Sequence, residues 1–351
     1  MNKEIAVYPG NFDPFTIGHA EVVKRAVATG KFGKVVILVT MIRESWFDAE
    51  AKVAMVKSYD LPWDQVDVVV YHEPSDARWP RENVVILRGV RDEHDVEFEA
   101  EVKGQITAVT GYDQFFYIEC REDKWQISSS AIRKSVTECN LMGLKDKVTP
   151  KVVTYLLEKV LKAKLYIVVG RPASGKSTIC NRLEKMFEIG VIKIDDVAKE
   201  FRHELVAHFG TEDLFDLMED HEDEFTSILG PRIIERLEYM LREMTGKHEV
   251  ILVECAYAMN YSYSKFLGEQ IVYVACTEET ARRRNKGRGT PYLTKFNKDI
   301  PDEGEMRQLA SEDRLTLIVF ENDEDDFDDS KLRFWYDLLT FIPVDFLASS
   351  C

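Results

Sequence analysis

The stretch from Ile5 to Gly30, IAVYPGNFDPFTIGHAEVVKRAVATG, constrains the fold more than any other. Its apolar run Ile5–Tyr8 reads as a buried strand, broken at Pro9-Gly10, and a helix follows from about Gly18. The turn between them carries Asn11, Phe12, Asp13, Thr16 and His19. Glycine lets the backbone approach a ligand closely. The mouth of the new helix offers unpaired N–H groups and the positive end of a dipole, which suit an anion. Thr16 and His19 stand three apart, on one helix face.

Further apolar runs follow. Lys34–Thr40, Gln65–Tyr71, Val84–Leu87 and Gln114–Glu119 read as strands, with a helix near Ala49–Tyr59 between the first two. Strands alternating with helices imply a parallel, doubly wound α/β sheet. Arg43 lies just past a strand end, where such sheets place ligand groups. Arg88-Gly89-Val90-Arg91 sets two guanidinium forks at another strand end, a geometry that matches phosphate oxygens. The acidic residues after it, from Asp92 to Glu99, suit the start of a helix. Ser128, Ser129 and Ser130 open a helix; they are caps by default and also donors to a triphosphate, with Arg133 one turn along.

The string Gly-x-Phe-Asp-Pro-x-Thr-x-Gly-His, from Gly10 to His19, resembles the signature of the nucleotidylyltransferase superfamily. Thr16, RGVRDEHDVEFEAEV and ISSSAIRKS are similar to phosphopantetheine adenylyltransferases, and Val148–Val160 resembles that family's closing helix. The resemblance covers nearly all of residues 1–162. It implies that Gly10, Phe12, Gly18, His19, Thr16, Arg91, Glu99, Ser128, Ser129, Ser130 and Arg133 meet ATP. It implies that Asn11, Arg43 and Arg88 hold the acceptor. The family has threonine where Asn11 stands and lysine where Arg43 stands. The chemistry implied is in-line attack of an acceptor phosphate on the α-phosphorus of ATP, with catalysis by positioning and charge stabilisation.

A basic stretch, Lys159–Lys164, leads into a second nucleotide motif. Leu165–Val169 reads as a strand, and Gly170-Arg171-Pro172-Ala173-Ser174-Gly175-Lys176-Ser177-Thr178 is a Walker A loop in the required strand–loop–helix context. Its backbone cradles phosphates, Lys176 reaches the β/γ oxygens and Ser177 holds Mg²⁺. Val191–Ile194 reads as a strand ending at Asp195-Asp196, where a carboxylate could accept a proton from a substrate hydroxyl, hold Mg²⁺ through water, or cap a helix over Val197–His208. Glu249–Cys255, Gln270–Cys276 and Leu315–Phe320 are further strands. Arg284 and Arg288, one turn apart, suit a lid over transferring phosphates. The acidic run Glu321–Asp329 reads as a solvated loop without chemistry. This half resembles P-loop kinases and, through IDDVAKEF, ILGPRIIERL and the Arg284/Arg288 spacing, dephospho-coenzyme A kinases. In that resemblance Asp195 falls on the catalytic aspartate. Gly230 and ECAYAMN depart from the family pattern.

Two domains are expected, residues 1–162 and 163–351, each a doubly wound parallel sheet: a Rossmann-like nucleotidylyltransferase and a P-loop kinase. The pairing resembles bifunctional coenzyme A synthases, with ATP, 4′-phosphopantetheine and dephospho-coenzyme A as substrates. A nicotinamide-mononucleotide adenylyltransferase fused to a ribosylnicotinamide kinase stays open as an alternative, and so does a non-catalytic nucleotide sensor. The net charge of −16 disfavours nucleic acid as a partner. No apolar run reaches the roughly 20 residues that span a bilayer. With six scattered cysteines and no secretory leader, a cytoplasmic location with reduced thiols is expected. Assembly into homo-oligomers is compatible with the sequence.

Overall fold

Continuous apolar runs such as VVILV and LYIVV have no polar face to give to water, so they are covered on both sides and pair in parallel. A computed structural model of the chain describes residues 4–41, 44–72, 83–90, 101–104, 106–108, 111–121, 125–211, 222–255, 264–286, 301–312, 315–324 and 327–341. It contains two five-stranded sheets, each parallel in every pairing. The contacts divide the chain into two compact units, Met1–Ser135 with Gly143–Val152, and Val136–Met142 with Val153–Cys351.

In the first unit β1 (Glu4–Gly10) is central, flanked by β2 (Phe32–Thr40) and β4 (Val84–Val90), with β3 (Val66–Tyr71) and β5 (Phe115–Glu119) at the edges. Helices α1 (Ile17–Ala28), α2 (Ala49–Lys57) and α3 (Ser129–Thr137) follow β1, β2 and β5. The order β3-β2-β1-β4-β5 reverses between β1 and β4. Ligands of open α/β sheets bind at such a reversal, beyond the carboxyl ends of the strands. Val7, Val36, Leu38, Val84 and Ile86 fill the core on one face of this sheet.

Helix α4 (Pro150–Leu161) is followed, after Lys162 and Ala163, by β6 (Lys164–Val169). The basic stretch is therefore helix end and strand start, with no spacer. The second sheet runs β10-β9-β6-β8-β7, with β6 at its centre, and joins β7 (Gly190–Lys193), β8 (Val250–Glu254), β9 (Gln270–Ala275) and β10 (Thr316–Glu321). Its helices are α5 (Lys176–Phe187), α6 (Ile194–Glu200), α7 (Arg202–Phe209), α8 (Glu222–Met244), α9 (Ser264–Leu267), α10 (Glu278–Lys286), α11 (Glu303–Glu312) and α12 (Asp329–Phe341). Tyr166, Val168, Leu252, Val272, Phe320 and Trp335 pack its core.

Two local expectations differ from the structure. Ile194 ends no strand; it begins α6, so Asp195 and Asp196 lie in a first helical turn whose N-cap is Lys193. The single helix expected over Val197–His208 is two helices. Phe201, at φ −92° and ψ 15°, leaves the helical region. Its N–H closes the first helix on the Ala198 carbonyl at 3.1 Å, and its carbonyl starts the second by accepting from Leu205 at 3.1 Å. Among the described residues no helix is long and apolar enough to cross a membrane.

Candidate nucleotide sites

In the first unit, the turn after β1 sits at the sheet's order reversal. Gly10 has no room for a side chain: a Cβ there would lie 2.6 Å from the Phe12 ring. Phe12, with φ of 45°, turns inward and packs on Tyr8, Phe15 and His19 at centroid distances of 5.2, 5.1 and 5.1 Å. Phe15 lies 5.3 Å from the His19 ring as well. Its carbonyl accepts from the Tyr59 hydroxyl at 2.8 Å, and burial drives that phenol's pKa far up. The imidazole is thus boxed by aromatic rings that leave it one orientation.

Thr16 is fully buried at the N-cap of α1. Its backbone N–H donates to Nδ1 of His19 at 3.0 Å, and its Oγ1 lies 3.0 Å from the same nitrogen. A backbone N–H can only donate, so Nδ1 carries no proton and the neutral ring bears it on Nε2. His19 is therefore an Nε2–H donor at a helix mouth, which is what a developing phosphate charge requires.

Asp13 is 2% exposed. One carboxylate oxygen accepts from the Trp46 N–H at 2.9 Å and lies 3.9 Å from Arg133 Nη1; the other is buried with no partner among the described residues. Arg133 donates to the Asp13 carbonyl, and Ser129 donates to the Pro14 carbonyl at 2.8 Å. Two residues expected on the triphosphate therefore brace the turn that would hold it. Ser128 accepts from the Ala131 N–H at 3.2 Å, as a helix cap does, and lies 3.1 Å from the exposed Ser130 hydroxyl. Arg88 is half-buried at the carboxyl end of β4, and Gly18 is the second residue of α1. Arg43, Arg91 and Glu99 lie outside the described residues.

Sequence reasoning passed over Lys52. On α2 it is fully buried, and its ammonium donates to Asn11 Oδ1 and to Ser45 Oγ, each at 2.6 Å. Burial pulls its pKa below the usual lysine range, against the attraction of Asp13 and with the repulsion of Arg133.

In the second unit, the loop after β6 wraps the start of α5. Lys176, 7% exposed, donates to the carbonyls of Gly170 at 2.8 Å and Arg171 at 3.0 Å, which closes the loop on itself. Gly175 has φ of 99°, and a Cβ there would stand 2.3 Å from Asn322 Nδ2. Asn322 in turn donates to the Ser174 carbonyl at 2.7 Å. Arg284 donates to the Asn322 carbonyl at 2.9 Å, to the Ser174 carbonyl at 3.4 Å and to the Glu324 carbonyl. Expected as a lid residue, Arg284 is here a tie on the loop's own frame; Arg288 lies outside the described residues.

Glu254, at the end of β8, is the second residue that sequence reasoning did not assign. It is 8% exposed; Oε1 accepts from the Ser177 hydroxyl at 2.5 Å, and Oε2 is buried without a partner among the described residues. Burial lifts its pKa above the ordinary carboxyl range, opposed by the Ser177 hydrogen bond and by Lys176. Asp195 belongs to an exposed residue, yet desolvation of its carboxyl by the surrounding protein lifts its pKa too, opposed by Lys176 and Lys199. Lys176 is lowered by burial and raised by Glu254 and Asp195. The buried Lys176 ammonium is thus coupled to the buried carboxyl of Glu254 and to that of Asp195, on an exposed residue at the start of α6.

The family model for cytidylyltransferase-like proteins matches residues 7–135. A phosphopantetheine adenylyltransferase from Phocaeicola vulgatus is 31% identical over 130 residues, 37% of this chain and 85% of that protein. Over its first half, the chain belongs to the cytidylyltransferase-like family. The phosphopantetheine adenylyltransferase of Thermotoga neapolitana is 30% identical over 166 residues, 46% of this chain and 99% of that protein. That of Latilactobacillus sakei is 28% identical over 166 residues, 46% of this chain and 98% of that protein. The family model for an AAA domain matches residues 167–308. Among solved structures, NadR protein in complex with NR covers 99% of each chain at 15% identity, with a TM-score of 0.34.

The cytidylyltransferase-like half is thus a nucleotidyltransferase by family, and the second half is P-loop kinase-like with a fold of the same α/β class. In the nucleotidyltransferase half the structure gathers Gly10, Asn11, Phe12, Thr16 and His19 with Ser129 and Arg133 around one turn. No local signal marks Lys52: lysine is rarely buried unless paired, and its partners Asn11 and Ser45 lie 41 and 7 residues away.

Proposed function

We propose that the chain is bifunctional: it transfers an adenylyl group from ATP to 4′-phosphopantetheine, then phosphorylates the 3′-hydroxyl of the dephospho-coenzyme A formed. The observation that carries the first step is the Thr16–His19 lock, which makes His19 Nε2–H a fixed donor in a half whose relatives are phosphopantetheine adenylyltransferases. An acceptor phosphate oxygen attacks the α-phosphorus, the bond to the β-phosphate oxygen breaks, and pyrophosphate leaves. His19 stabilises the charge that gathers on the α-phosphate oxygens. No enzyme nucleophile is needed. Arg88, at the opposing strand end, serves the acceptor side, with Asn11 and Arg43; Arg91, Glu99 and Ser128–Ser130 serve the nucleotide.

In the second step the 3′-hydroxyl oxygen attacks the γ-phosphorus and ADP departs. Asp195 accepts the hydroxyl proton. The loop Gly170–Thr178 binds the ATP phosphates and Lys176 turns from its carbonyls to the β/γ oxygens. The buried Oε2 of Glu254, without a partner among the described residues and beside the Ser177 hydroxyl, fits a hard divalent cation, so Ser177 and Glu254 are the residues that would hold Mg²⁺. That cation, when bound, neutralises phosphate charge.

A substrate panel on the purified full chain tests the reading. Pyrophosphate release from ATP should depend on 4′-phosphopantetheine, and ADP release on dephospho-coenzyme A. Dependence on nicotinamide mononucleotide and ribosylnicotinamide instead would replace both assignments. Tight ATP binding without turnover on either pair would make the chain a sensor.

A further inference from the structure

The buried contact between Lys52 and Asn11 says more than that the turn is held in place. An ammonium has three donors and no acceptor, so the Asn11 atom 2.6 Å from Lys52 Nζ must be the amide oxygen. The Ser45 oxygen accepts from the same ammonium at 2.6 Å, so its own proton goes to Asn11 Oδ1, 3.1 Å away. One side of the Asn11 amide is therefore saturated by two inward donors. The NH₂ on the other branch has no hydrogen bond among the described residues. It stands at the carboxyl end of β1, beside the sheet's order reversal, on a half-buried residue. Asparagine amides ordinarily present either edge to a ligand; this one presents a single edge.

We propose that Lys52 is a positioning residue that locks the Asn11 amide with its oxygen inward, so that Asn11 offers a fixed neutral N–H donor to the phosphomonoester of the acceptor. The proposal rests on the adenylyl-transfer reading above. Lys52 acts through Asn11, and Ser45 completes the lock. Specificity for a phosphorylated acceptor then has a source inside the helix α2, away from the nucleotide.

The test uses the full chain, ATP and 4′-phosphopantetheine, with pyrophosphate release as the readout. Lys52→Met should raise the KM for the acceptor about tenfold or more while the KM for ATP stays within about twofold. Lys52→Arg should recover part of that loss. Asn11→Asp keeps an oxygen for Lys52 and Ser45 but removes the donor, and should raise the acceptor KM at least as far. It also carries the test if Lys52→Met fails to fold. Because Lys52 acts through Asn11, the double variant Asn11→Ala/Lys52→Met should bind the acceptor no worse than Asn11→Ala alone. An unchanged acceptor KM in Asn11→Asp, additive losses in the double variant, or equal rises in the KM for ATP would each overturn the proposal. If wild type prefers nicotinamide mononucleotide, only the acceptor assignment fails, and the same variants are read with that phosphomonoester. Wild type inert with both acceptors overturns the two together.

Discussion

The backbone N–H of Thr16 donates to Nδ1 of His19 across 3.0 Å, and this one contact decides which face of the imidazole can do chemistry. A capping box ordinarily has Glu or Gln at the third helical position, and His19 takes that place here. Here the cap does two things at once. It satisfies an orphan donor of the helix start, and it assigns the ring proton to Nε2. The aromatic box of Phe12, Phe15 and Tyr8 keeps the ring from turning away.

His19→Ala removes a donor aimed at charge that exists chiefly in the transition state. It should lower kcat for adenylyl transfer by about 10²–10³ while changing the KM for ATP by less than about threefold. Steady-state pyrophosphate release measures both. An equal loss in kcat and in ATP affinity would mean that His19 serves ground-state binding instead.

Gly175→Ala should separate the two activities. The new Cβ would meet Asn322 Nδ2 at 2.3 Å, and alanine at φ of 99° is strained by about 1–3 kcal/mol. The Walker loop must shift, so ADP release should fall by about 10² or more, the effect of misplacing a phosphate cradle by about 1 Å. Pyrophosphate release by the first unit should keep its wild-type rate. Loss of both activities would contradict the separateness of the sites.

Asp195→Asn probes the proton acceptor. The kinase rate should drop by about 10²–10⁴ with ATP binding retained, as expected when a general base is lost. Wild type should show an acid limb because the carboxyl must be ionised to accept a proton. Desolvation by the surrounding protein holds that carboxyl above the ordinary aspartate range, so the limb should sit above the pH at which a free aspartate titrates, and the rate should climb as pH rises through it. The residual rate of Asp195→Asn should lack the limb, which a pH profile of ADP release reads directly.

How legible was this chemistry? The strands were, because buried parallel strands leave continuous apolar runs; β9 and β10 fall within a residue or two of the expected spans. The two turns after β1 and β6 were legible too, since glycine and proline punctuate them. What escaped notice were residues whose role comes from tertiary partners. Lys52 reads as one more helical lysine until Asn11 and Ser45, seven or more residues away, close on it. Glu254 ends an apolar strand and becomes special only because the sheet order sets β8 beside β6, which brings Ser177 to it. Ser129 and Arg133 were legible as polar groups at a helix start, but sequence could not say that they reach back 115 and 120 residues to the turn. The acidic run Glu321–Asp329 turned out to hold helix caps: Asp323 accepts from the Thr277 N–H at 2.6 Å, just ahead of α10, and Asp328 accepts from Lys331 at 2.9 Å at the start of α12. Capping depends on where a chain segment lands, which local composition does not encode.

Glu254 should show a stability–function conflict. Its carboxyl is held above the ordinary glutamate value of 4.5, chiefly by burial, so the folded state binds this proton more tightly than the unfolded chain does. For a raised pKa the group's stabilising contribution is complete below the unfolded value and is lost as pH climbs through the folded one. Glutamine imitates the protonated acid and keeps an Oε1 for Ser177. Glu254→Gln should therefore melt higher than wild type at neutral pH without nucleotide, by about 2–4 °C, the shift that roughly 1 kcal/mol produces in a domain of this size. The gap should close as pH is lowered toward 4.5, where wild type becomes protonated as well. Adding ATP and Mg²⁺ should reverse the order, because wild type gains binding energy from a carboxylate that the variant lacks. Thermal melts at several pH values, with and without the metal–nucleotide pair, resolve all three effects. A variant that melts lower than wild type at neutral pH, or one stabilised equally by ATP and Mg²⁺, would remove Glu254 from the metal site.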